Sequence, residues 1–261
     1  MSGTFRALLP PLLALAAFVL LGEILTNILA IPPYLLPAPS AIAKAGLKEW
    51  QTLISAALTT SKAALFGFGL SALIGVISAI VLSSSRIIER AFYPYTVFLQ
   101  TVPIVAIAPL LVLWFGAGLR AVAVSAFIVS VFPIIANTLA GLRSVDPPLR
   151  DLFRLYGAGP FATLIKLKIP FAVPNMITGL RIASGLSVIG AIVGEFVAGF
   201  AEGAAGLGIL VLSSYRQLRT DLLFAAVLVA SLLGLCLFAA VSGLGFLLLR
   251  RWHPSARGGA S

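Results

Sequence analysis

The segment LFGFGLSALIGVISAIVL, residues 65–82, carries no charged side chain and is almost entirely apolar. With its flanking residues, from about 61 to 82, it reaches the roughly 20 residues that a helix needs to cross a bilayer. Its residues Gly67, Ser71, Gly75 and Ala79 recur at every fourth position, a spacing that allows two helix backbones to approach closely in lipid. The segment therefore predicts a membrane-spanning helix that packs through its small side chains.

Five other segments share this character, at about residues 8–28, 97–115, 119–141, 176–200 and 222–249. Of the 261 residues, 60% are hydrophobic and only 10% are charged, whereas about 25% of the residues in a soluble domain are charged. The predicted fold class is all-α, a polytopic membrane helix bundle with about six transmembrane helices. A total of five or of seven spans is also compatible with the sequence, because Pro103 and Pro109 interrupt the third segment and the last segment is long.

The fifth segment repeats the small-residue pattern at Gly179, Ala183, Ser187 and Ala191. Because an α-helix has 3.6 residues per turn, the stripe drifts by about 40° at each step and leads toward Glu195. We expect Glu195 to face protein rather than lipid.

Two segments between spans have structure of their own. Prolines exclude regular helix from residues 31–39, and Ser40 is placed to cap an interfacial helix over residues 41–58. The glycine-rich residues 202–208 precede a short apolar stretch, 209–215, which we expect to dip into the outer face of the membrane. We therefore divide the chain into residues 1–60, the first helix with its outer segment, and residues 61–261, the transmembrane core.

The positive charges predict the orientation. A cytoplasmic N-terminus places eleven Lys and Arg inside and six outside, the asymmetry typical of inner-membrane proteins. Both termini are then cytoplasmic, and Arg181 can extend toward the inner interface. The first apolar segment is longer than the core of a signal peptide, so we interpret it as an uncleaved helix.

Several classes of protein are disfavoured. The basic residues form no run with interleaved aromatics, so we expect no nucleic-acid partner. Cys236 and His253 each stand alone, and the eight acidic residues are scattered, so we expect no metal site and no enzyme activity. An ion-coupled secondary transporter stays the alternative function, although ionisable groups near the midplane and repeated halves are not evident.

A basic loop over residues 142–176 is longer than a connection between two spans requires. Asp146 before Pro147 predicts the start of a short helix and Gly157 predicts its end, so the helix covers residues 147–156. Its apolar side chains share one face, at Leu149, Leu152, Phe153 and Tyr156. A second helix is predicted from Pro160 to residue 169, stopping before Pro170, with an elbow at residues 157–159. Docking of a partner protein and packing on the bilayer surface are equally supported by these residues.

The loop resembles that of the permease subunits of ATP-binding-cassette (ABC) importers. Their pattern is a Glu-Ala-Ala triplet, a glycine after three further residues, and an apolar-x-apolar-Pro ending about a dozen residues later. Here Asp151-Leu152-Phe153 stands in the place of the triplet, with only its acidic character kept. Gly157 is the glycine, and Leu167-Lys168-Ile169-Pro170 closes the pattern.

The resemblance covers nearly the whole chain, which is similar to the nitrate/sulfonate/taurine permease group. The matching motifs are Tyr34–Ser40, Gln100–Pro103, Ala108–Leu110, Leu113–Gly116, Phe132-Pro133, Asn137, Gly141–Arg143, Thr178–Arg181, Gly194–Phe196 and Gly206–Gly208. Within that group, the motif Gln-Thr-Val-Pro and residues 187–195 are more similar to members associated with thiamine-precursor pyrimidines or riboflavin.

The resemblance implies partners. No Gly-x-x-x-x-Gly-Lys-Ser/Thr phosphate loop occurs, so ATP and Mg²⁺ are expected on a separate ABC ATPase and no cofactor is expected on this chain. A periplasmic or lipid-anchored binding protein would deliver the solute, and a homodimer in membrane lipid is the simplest assembly. The residues implied in ATPase coupling are Asp151, Leu152, Phe153, Leu155, Tyr156, Gly157, Ala158, Phe161 and Pro170.

The translocation pathway is predicted from polar residues inside apolar segments, because such residues usually face protein or a cavity. They are Gln100, Thr101, Asn137, Ser184, Ser187 and Glu195, together with Pro103, which can break a helix there. Plain hydrogen bonding between helices is the alternative role for each polar residue.

Overall fold

The structure is a computed structural model that describes residues 2–198 and 205–249. In those residues it is helical and has no strand. The helices are α1 (Ser2–Ile28), α2 (Pro39–Lys48), α3 (Trp50–Ser84), α4 (Arg86–Thr101), α5 (Ile104–Phe115), α6 (Leu119–Arg143), α7 (Pro147–Leu155), α8 (Pro160–Thr163), α9 (Ile169–Ala198), α10 (Leu207–Arg216) and α11 (Thr220–Leu249), with a π turn at Leu164–Lys168. The predicted span end at Phe200, residues 202–204 of the glycine-rich segment and the tail residue His253 lie outside the described residues.

The predicted membrane bundle is confirmed. Five helical runs in the described residues are long and apolar enough to cross a membrane: Leu9–Ile28, Trp50–Ser84, Leu119–Arg143, Pro160–Ala198 and Thr220–Leu249. The pair α4 and α5 counts as a sixth span if it is taken together. The division proposed between residues 60 and 61 falls inside α3.

The centre of the bundle is the antiparallel pair α6 and α9, which make the most extensive contact between described helices. Glycines set their separation at both ends. A Cβ at Gly141 would lie 2.9 Å from the Ala172 Cα, and a Cβ at Gly194 would lie 3.1 Å from the Val122 Cα. Side chains at these glycines would push the two backbones apart.

Helix α3 packs parallel to α6 through the stripe that the sequence predicts. Gly67, Ser71, Gly75 and Ala79 are all buried. The Ser71 hydroxyl donates to the carbonyl of Phe127 on α6 at 3.0 Å, so the stripe provides a hydrogen bond as well as space. The stripe on α9 is buried in the same way, and both packing predictions are confirmed.

The predicted interfacial helix over residues 41–58 is wrong. Helix α2 is only ten residues long, and the residues from Trp50 onward belong to α3, a continuous helix of 35 residues. Helix α2 begins at Pro39, so Ser40 lies inside it and is not its cap. The side chain that binds its N-terminus is Glu23 of α1, whose carboxylate accepts from the Ser40 N–H at 2.9 Å and from the Ser40 hydroxyl at 2.8 Å.

The third predicted span, residues 97–115, is broken. Helices α4 and α5 meet at an angle of 98°, with Val102 and Pro103 between them. Pro109, in contrast, lies inside α5 without ending it. Helix α5 has 12 residues and is too short to cross a bilayer by itself.

The prediction that the second loop helix stops before Pro170 is also wrong. Helix α8 passes into the π turn and then directly into α9, so Pro170 lies within a continuous helical run. The Ile169 N–H donates to the Leu164 carbonyl, five residues back, as π geometry requires. This wider turn lies immediately before Pro170, where an ordinary helix would meet the proline ring, which explains why the helix continues.

Candidate functional site

The loop between α6 and α9 turns at a defined helix cap. The Ala158 N–H donates to the Phe153 carbonyl at 2.9 Å, and the Gly157 N–H donates to the Arg154 carbonyl at 3.0 Å. These two bonds form a Schellman motif, which needs a left-handed residue after the end of the helix. Gly157 provides it with φ of 67°. The elbow is therefore fixed by backbone hydrogen bonds rather than by packing.

The tip of this elbow presents large apolar side chains to the surroundings. Leu155 is 85% exposed, Tyr156 83% and Phe161 74%. Asp151, Gly157 and Pro170 are also exposed, Leu152 is exposed by nearly half, and Phe153 and Ala158 are half-buried. The predicted coupling residues other than Pro170 thus lie together around one elbow, whereas Pro170 lies beyond the π turn in the first turn of α9.

Arg150 anchors the loop to the end of α6. Its Nη2 donates to the Val145 carbonyl at 2.6 Å and to the Arg143 carbonyl at 3.0 Å, and its Nε also donates to Val145 at 3.0 Å. These carbonyls belong to the last turn of α6 and the residues after it, where helices leave acceptors unpaired. Sequence reasoning did not single out Arg150. A basic residue shortly after a helix end was the available signal.

An ion pair fixes the neighbouring helix end. Arg143, the last residue of α6, pairs with Glu89 in the first turns of α4. The start of α4, the end of α6 and the loop therefore lie at the same end of the bundle. Sequence reasoning did not identify this pair.

Five of the seven predicted pathway residues fall into two separate groups. Gln100, Thr101 and Pro103 are exposed at the bend between α4 and α5. Ser184 and Ser187 are fully buried on α9, where their hydroxyls donate to the carbonyls of Arg181 and Ser184. None of these five residues lines the polar cleft beside the loop or the cavity that adjoins it.

The remaining two candidates are held by their own surroundings. Asn137 is half-buried, and its side-chain amide donates to the Pro133 carbonyl one turn earlier at 2.8 Å. Glu195 is 3% exposed. The structure places it inside the protein, as the stripe on α9 predicts.

Glu195 holds the start of α10. Its Oε2 accepts from the Gly208 N–H at 2.7 Å, and its Oε1 accepts from the Thr60 hydroxyl at 2.8 Å. The Leu207 N–H in turn donates to the Thr60 Oγ1 at 2.8 Å. The carboxyl group and the hydroxyl thus occupy two of the N–H groups that a helix N-terminus leaves unpaired. Thr60 was missed by sequence reasoning, because its partner lies 135 residues away.

The glycine before α10 allows this contact. A Cβ at Gly206 would overlap the Glu195 carboxyl group, and a Cβ at Gly208 would lie 2.6 Å from the Ile192 carbonyl oxygen. The motif Gly206-Leu207-Gly208 therefore lets the start of α10 lie directly against α9. Within residues 2–198 and 205–249, no three His, Cys, Asp or Glu side chains come together as metal ligands.

These observations define a class: a multi-span helical membrane protein with a capped, outward-facing helical loop at one end of its core. The chain belongs to the family of binding-protein-dependent transport system inner membrane components, whose model matches residues 71–253. It is the permease subunit of an ABC importer.

The curated relatives that match this chain are also named as permeases. The chain is 35% identical over 237 residues to a Haemophilus influenzae protein named "Probable ABC transporter permease protein", covering 91% of this chain and 95% of that one. It is 35% identical over 250 residues to the formylaminopyrimidine transport permease ThiX of Halalkalibacterium halodurans, covering 95% and 98%. It is also 35% identical over 229 residues to the riboflavin transport system permease RibX of Chloroflexus aurantiacus, covering 86% and 82%.

A solved structure shares the fold. The inward-facing MetNI methionine ABC transporter aligns with a TM-score of 0.65 and 17% identity, over 76% of this chain and 96% of that chain. At this identity the similarity concerns the fold of the helical core. It supports the helix arrangement described above.

Proposed function

We propose that this permease docks a separate ABC ATPase through the elbow at Gly157, and that ATP hydrolysis on that subunit drives solute import. The observation that carries the proposal is the exposed apolar tip formed by Leu155, Tyr156 and Phe161. These side chains project from a backbone that is fixed by the cap at Gly157. Exposed aromatic and aliphatic groups on a rigid support are typical anchors of a protein interface.

The geometry favours docking over packing on the bilayer surface. A surface helix keeps its apolar side chains on one face and immerses that face in lipid. Here Leu155 and Tyr156 lie at the end of α7 and Phe161 at the start of α8, so the apolar groups surround a turn. A protruding turn fits a groove in a partner protein better than a flat membrane surface.

The charges support a cytoplasmic loop. Arg86, Arg90, Arg143, Arg150 and Lys168 lie together at the end of the bundle that carries the loop. Cytoplasmic ends of membrane helices are enriched in such residues. On this basis both termini and the elbow are cytoplasmic, and α2 and α10 lie at the periplasmic end.

The proposed solute is a small heterocycle delivered by an external binding protein. The support is the identity to ThiX and RibX, which are named for formylaminopyrimidine and riboflavin. Two copies of the chain would enclose the pathway, since one permease sequence is most simply assembled as a symmetric dimer. Gln100 and Thr101, exposed at the α4–α5 bend, are the polar groups we assign to its wall, together with the half-buried Asn137. For Ser184, Ser187 and Glu195, burial against neighbouring helices favours the structural role.

Site-directed cross-linking tests the docking. Cys236 is the single cysteine, so a Cys236→Ser background allows one new thiol to be placed at will. Tyr156→Cys on the elbow and Tyr215→Cys on α10 replace two exposed tyrosines at opposite ends of the bundle. With the cognate ATPase co-expressed, Tyr156→Cys should cross-link to it and Tyr215→Cys should not.

The same variants test the orientation. A membrane-impermeant thiol reagent added from the periplasmic side should label Tyr215→Cys and leave Tyr156→Cys unlabelled. Cross-linking of both positions to the ATPase, or of neither, would contradict the docking assignment. Periplasmic labelling of the elbow would reverse the orientation.

A further inference from the structure

A polar cleft separates the loop from the ends of α3 and α4. Its volume is about 770 Å³, within the range of small-molecule sites, roughly 300–1,000 Å³. Five cations and one carboxylate line it: Arg86, Arg90, Arg143, Arg150 and Lys168 against Glu89. The hydroxyls of Ser83, Ser84 and Ser85 complete one wall. The cleft is therefore a concentration of positive charge at one end of a membrane bundle.

Only two of these cations are engaged within the described residues. Arg143 pairs with Glu89, and Arg150 donates to backbone carbonyls of the loop. Arg86, Arg90 and Lys168 form neither an ion pair nor a hydrogen bond with any residue in 2–198 or 205–249. Glu89 is already paired with Arg143, so these three cations have no carboxylate partner in the cavity. An anion with several acceptor oxygens could pair with all three.

The cleft continues into a second cavity that has more apolar side chains. An adjoining cavity of about 930 Å³ shares Arg86, Arg150 and Lys168 with the first. It adds the apolar side chains of Ile80, Val81, Leu164 and Phe161, together with the charged side chains of Asp151 and Arg154. The combined surface joins a cluster of cations to the apolar side chains of Ile80, Val81 and Leu164, a combination that suits an amphiphile better than a free anion.

We propose that this cleft binds the headgroup phosphate of an anionic phospholipid from the leaflet on the loop side, with its acyl chains along the end of α3. Arg86 and Arg90 offer planar, forked donors that match phosphate oxygens. Lys168 lies in the π turn that joins the loop to α9, so a bound lipid contacts both the start of α4 and the root of the loop. Basic pockets on the cytoplasmic side of membrane helices bind such headgroups. The lipid thereby links the membrane composition to the position of the coupling elbow.

Lipid retention by the full chain tests the proposal. The double variant Arg86→Gln/Arg90→Gln removes two unpaired cations, and Lys166→Gln is the matched control, because Lys166 is exposed in the same π turn but does not line either cavity. The dimer is reconstituted in nanodiscs of phosphatidylcholine with a fraction of phosphatidylglycerol, and bound lipid is counted by native mass spectrometry. The double variant should hold phosphatidylglycerol roughly thirtyfold more weakly than wild type, as expected for two basic side chains.

The controls separate the possible ligands. Lys166→Gln should match the wild type, and the charge-conserving Arg86→Lys/Arg90→Lys should keep most of the binding. Inorganic phosphate should not bind to the permease in discs of pure phosphatidylcholine, and it should not displace phosphatidylglycerol from the mixed discs. Equal retention by the double variant and the control would overturn the proposal, and so would displacement of phosphatidylglycerol by inorganic phosphate. Because no ATPase is present, the measurement is independent of the docking proposed above.

Discussion

Replacing Gly157 by alanine tests the elbow most directly, because a neighbouring glycine serves as the control. A Cβ at Gly157 and a Cβ at Gly159 would each meet nothing within 4 Å, so neither substitution creates a clash. The two positions differ in backbone conformation. Gly157 has φ of 67°, in the left-handed region, whereas Gly159 has φ of −67° and ψ of 166°, which any residue adopts.

The expected penalty follows from that difference alone. An L-residue in the left-handed conformation costs about 1–2 kcal/mol relative to its preferred regions. A free loop can relieve this strain by unwinding the last turn of α7, but a loop seated in the ATPase cannot. The strain therefore makes the free energy of docking less favourable by about 1–2 kcal/mol, which corresponds to roughly a 5- to 30-fold loss of affinity. Gly159→Ala should change the affinity by less than about twofold, because it introduces no strain.

The assay is the affinity of purified ATPase for the permease in nanodiscs, with ATP hydrolysis as a second readout. Gly157→Asn should fall between wild type and Gly157→Ala, because asparagine tolerates positive φ better than alanine does. Gly157→Val should be the most damaging of the three. If Gly157→Ala and Gly159→Ala bind the ATPase equally well, the left-handed cap is not what presents the elbow, and the reasoning fails.

Three further predictions concern packing, a buried carboxyl group and pH. Gly67→Ala should destabilise the bundle by about 1–3 kcal/mol in a thermal unfolding assay, because the new Cβ would lie 2.5 Å from a side-chain carbon of α6. Gly69→Ala is the control and should be neutral, because its Cβ would have no neighbouring atom within 4 Å. Glu195→Gln should loosen α10 by about 1–3 kcal/mol, because an NH2 group, which cannot accept, replaces one of the two oxygens that accept from the Gly208 N–H and the Thr60 hydroxyl. Unchanged protease protection of α10 would argue against this. The Arg219 guanidinium donates to Glu49 and lowers the pKa of that carboxyl below 4.5. The pair therefore stabilises above pH 4.5 and is lost as the pH falls through the lowered pKa, so Arg219→Gln should lower the melting temperature at neutral pH and have no effect in strong acid.

The spans and the elbow could be predicted because their signals are local. A run of about 20 apolar residues defines a span without knowledge of its neighbours. The two small-residue stripes were likewise visible as four-residue spacings, and both are buried. At the elbow, Pro147 and Gly157 determine the start and end of α7 through their own backbone preferences.

The prolines show where local reasoning ends. Pro103 separates two helices at 98°, whereas Pro109 lies inside α5 and Pro170 inside a helical run. All three lack the same N–H and carry the same ring. Whether a helix ends or continues at a proline depends on whether the preceding turn can widen, as the π turn does before Pro170. It also depends on the packing of the neighbouring helices. That information is spread over the whole bundle.

The two carboxyl groups inside apolar segments have the same role, which the sequence did not indicate. Glu23 from α1 binds the N-terminal N–H of α2 through Ser40, and Glu195 from α9 binds that of α10 through Gly208. In each case the carboxyl group of a long helix caps a short helix at the end of the bundle opposite the loop. A helix N-terminus carries a partial positive charge, so a nearby carboxylate is stabilising there.

These contacts give Glu23 and Glu195 a structural role, because each carboxyl group caps a short helix. The end of the bundle opposite the loop carries the short helices α2 and α10, which cannot cross the membrane and depend on long-range side-chain contacts. At the loop end, in contrast, Arg86, Arg90 and Lys168 have no partner within the described residues, and Leu155, Tyr156 and Phe161 have no cover. Substitution of the caps should therefore lower the yield and stability of the permease. Substitution at the loop end should leave the fold intact and change the response to the ATPase and to lipid.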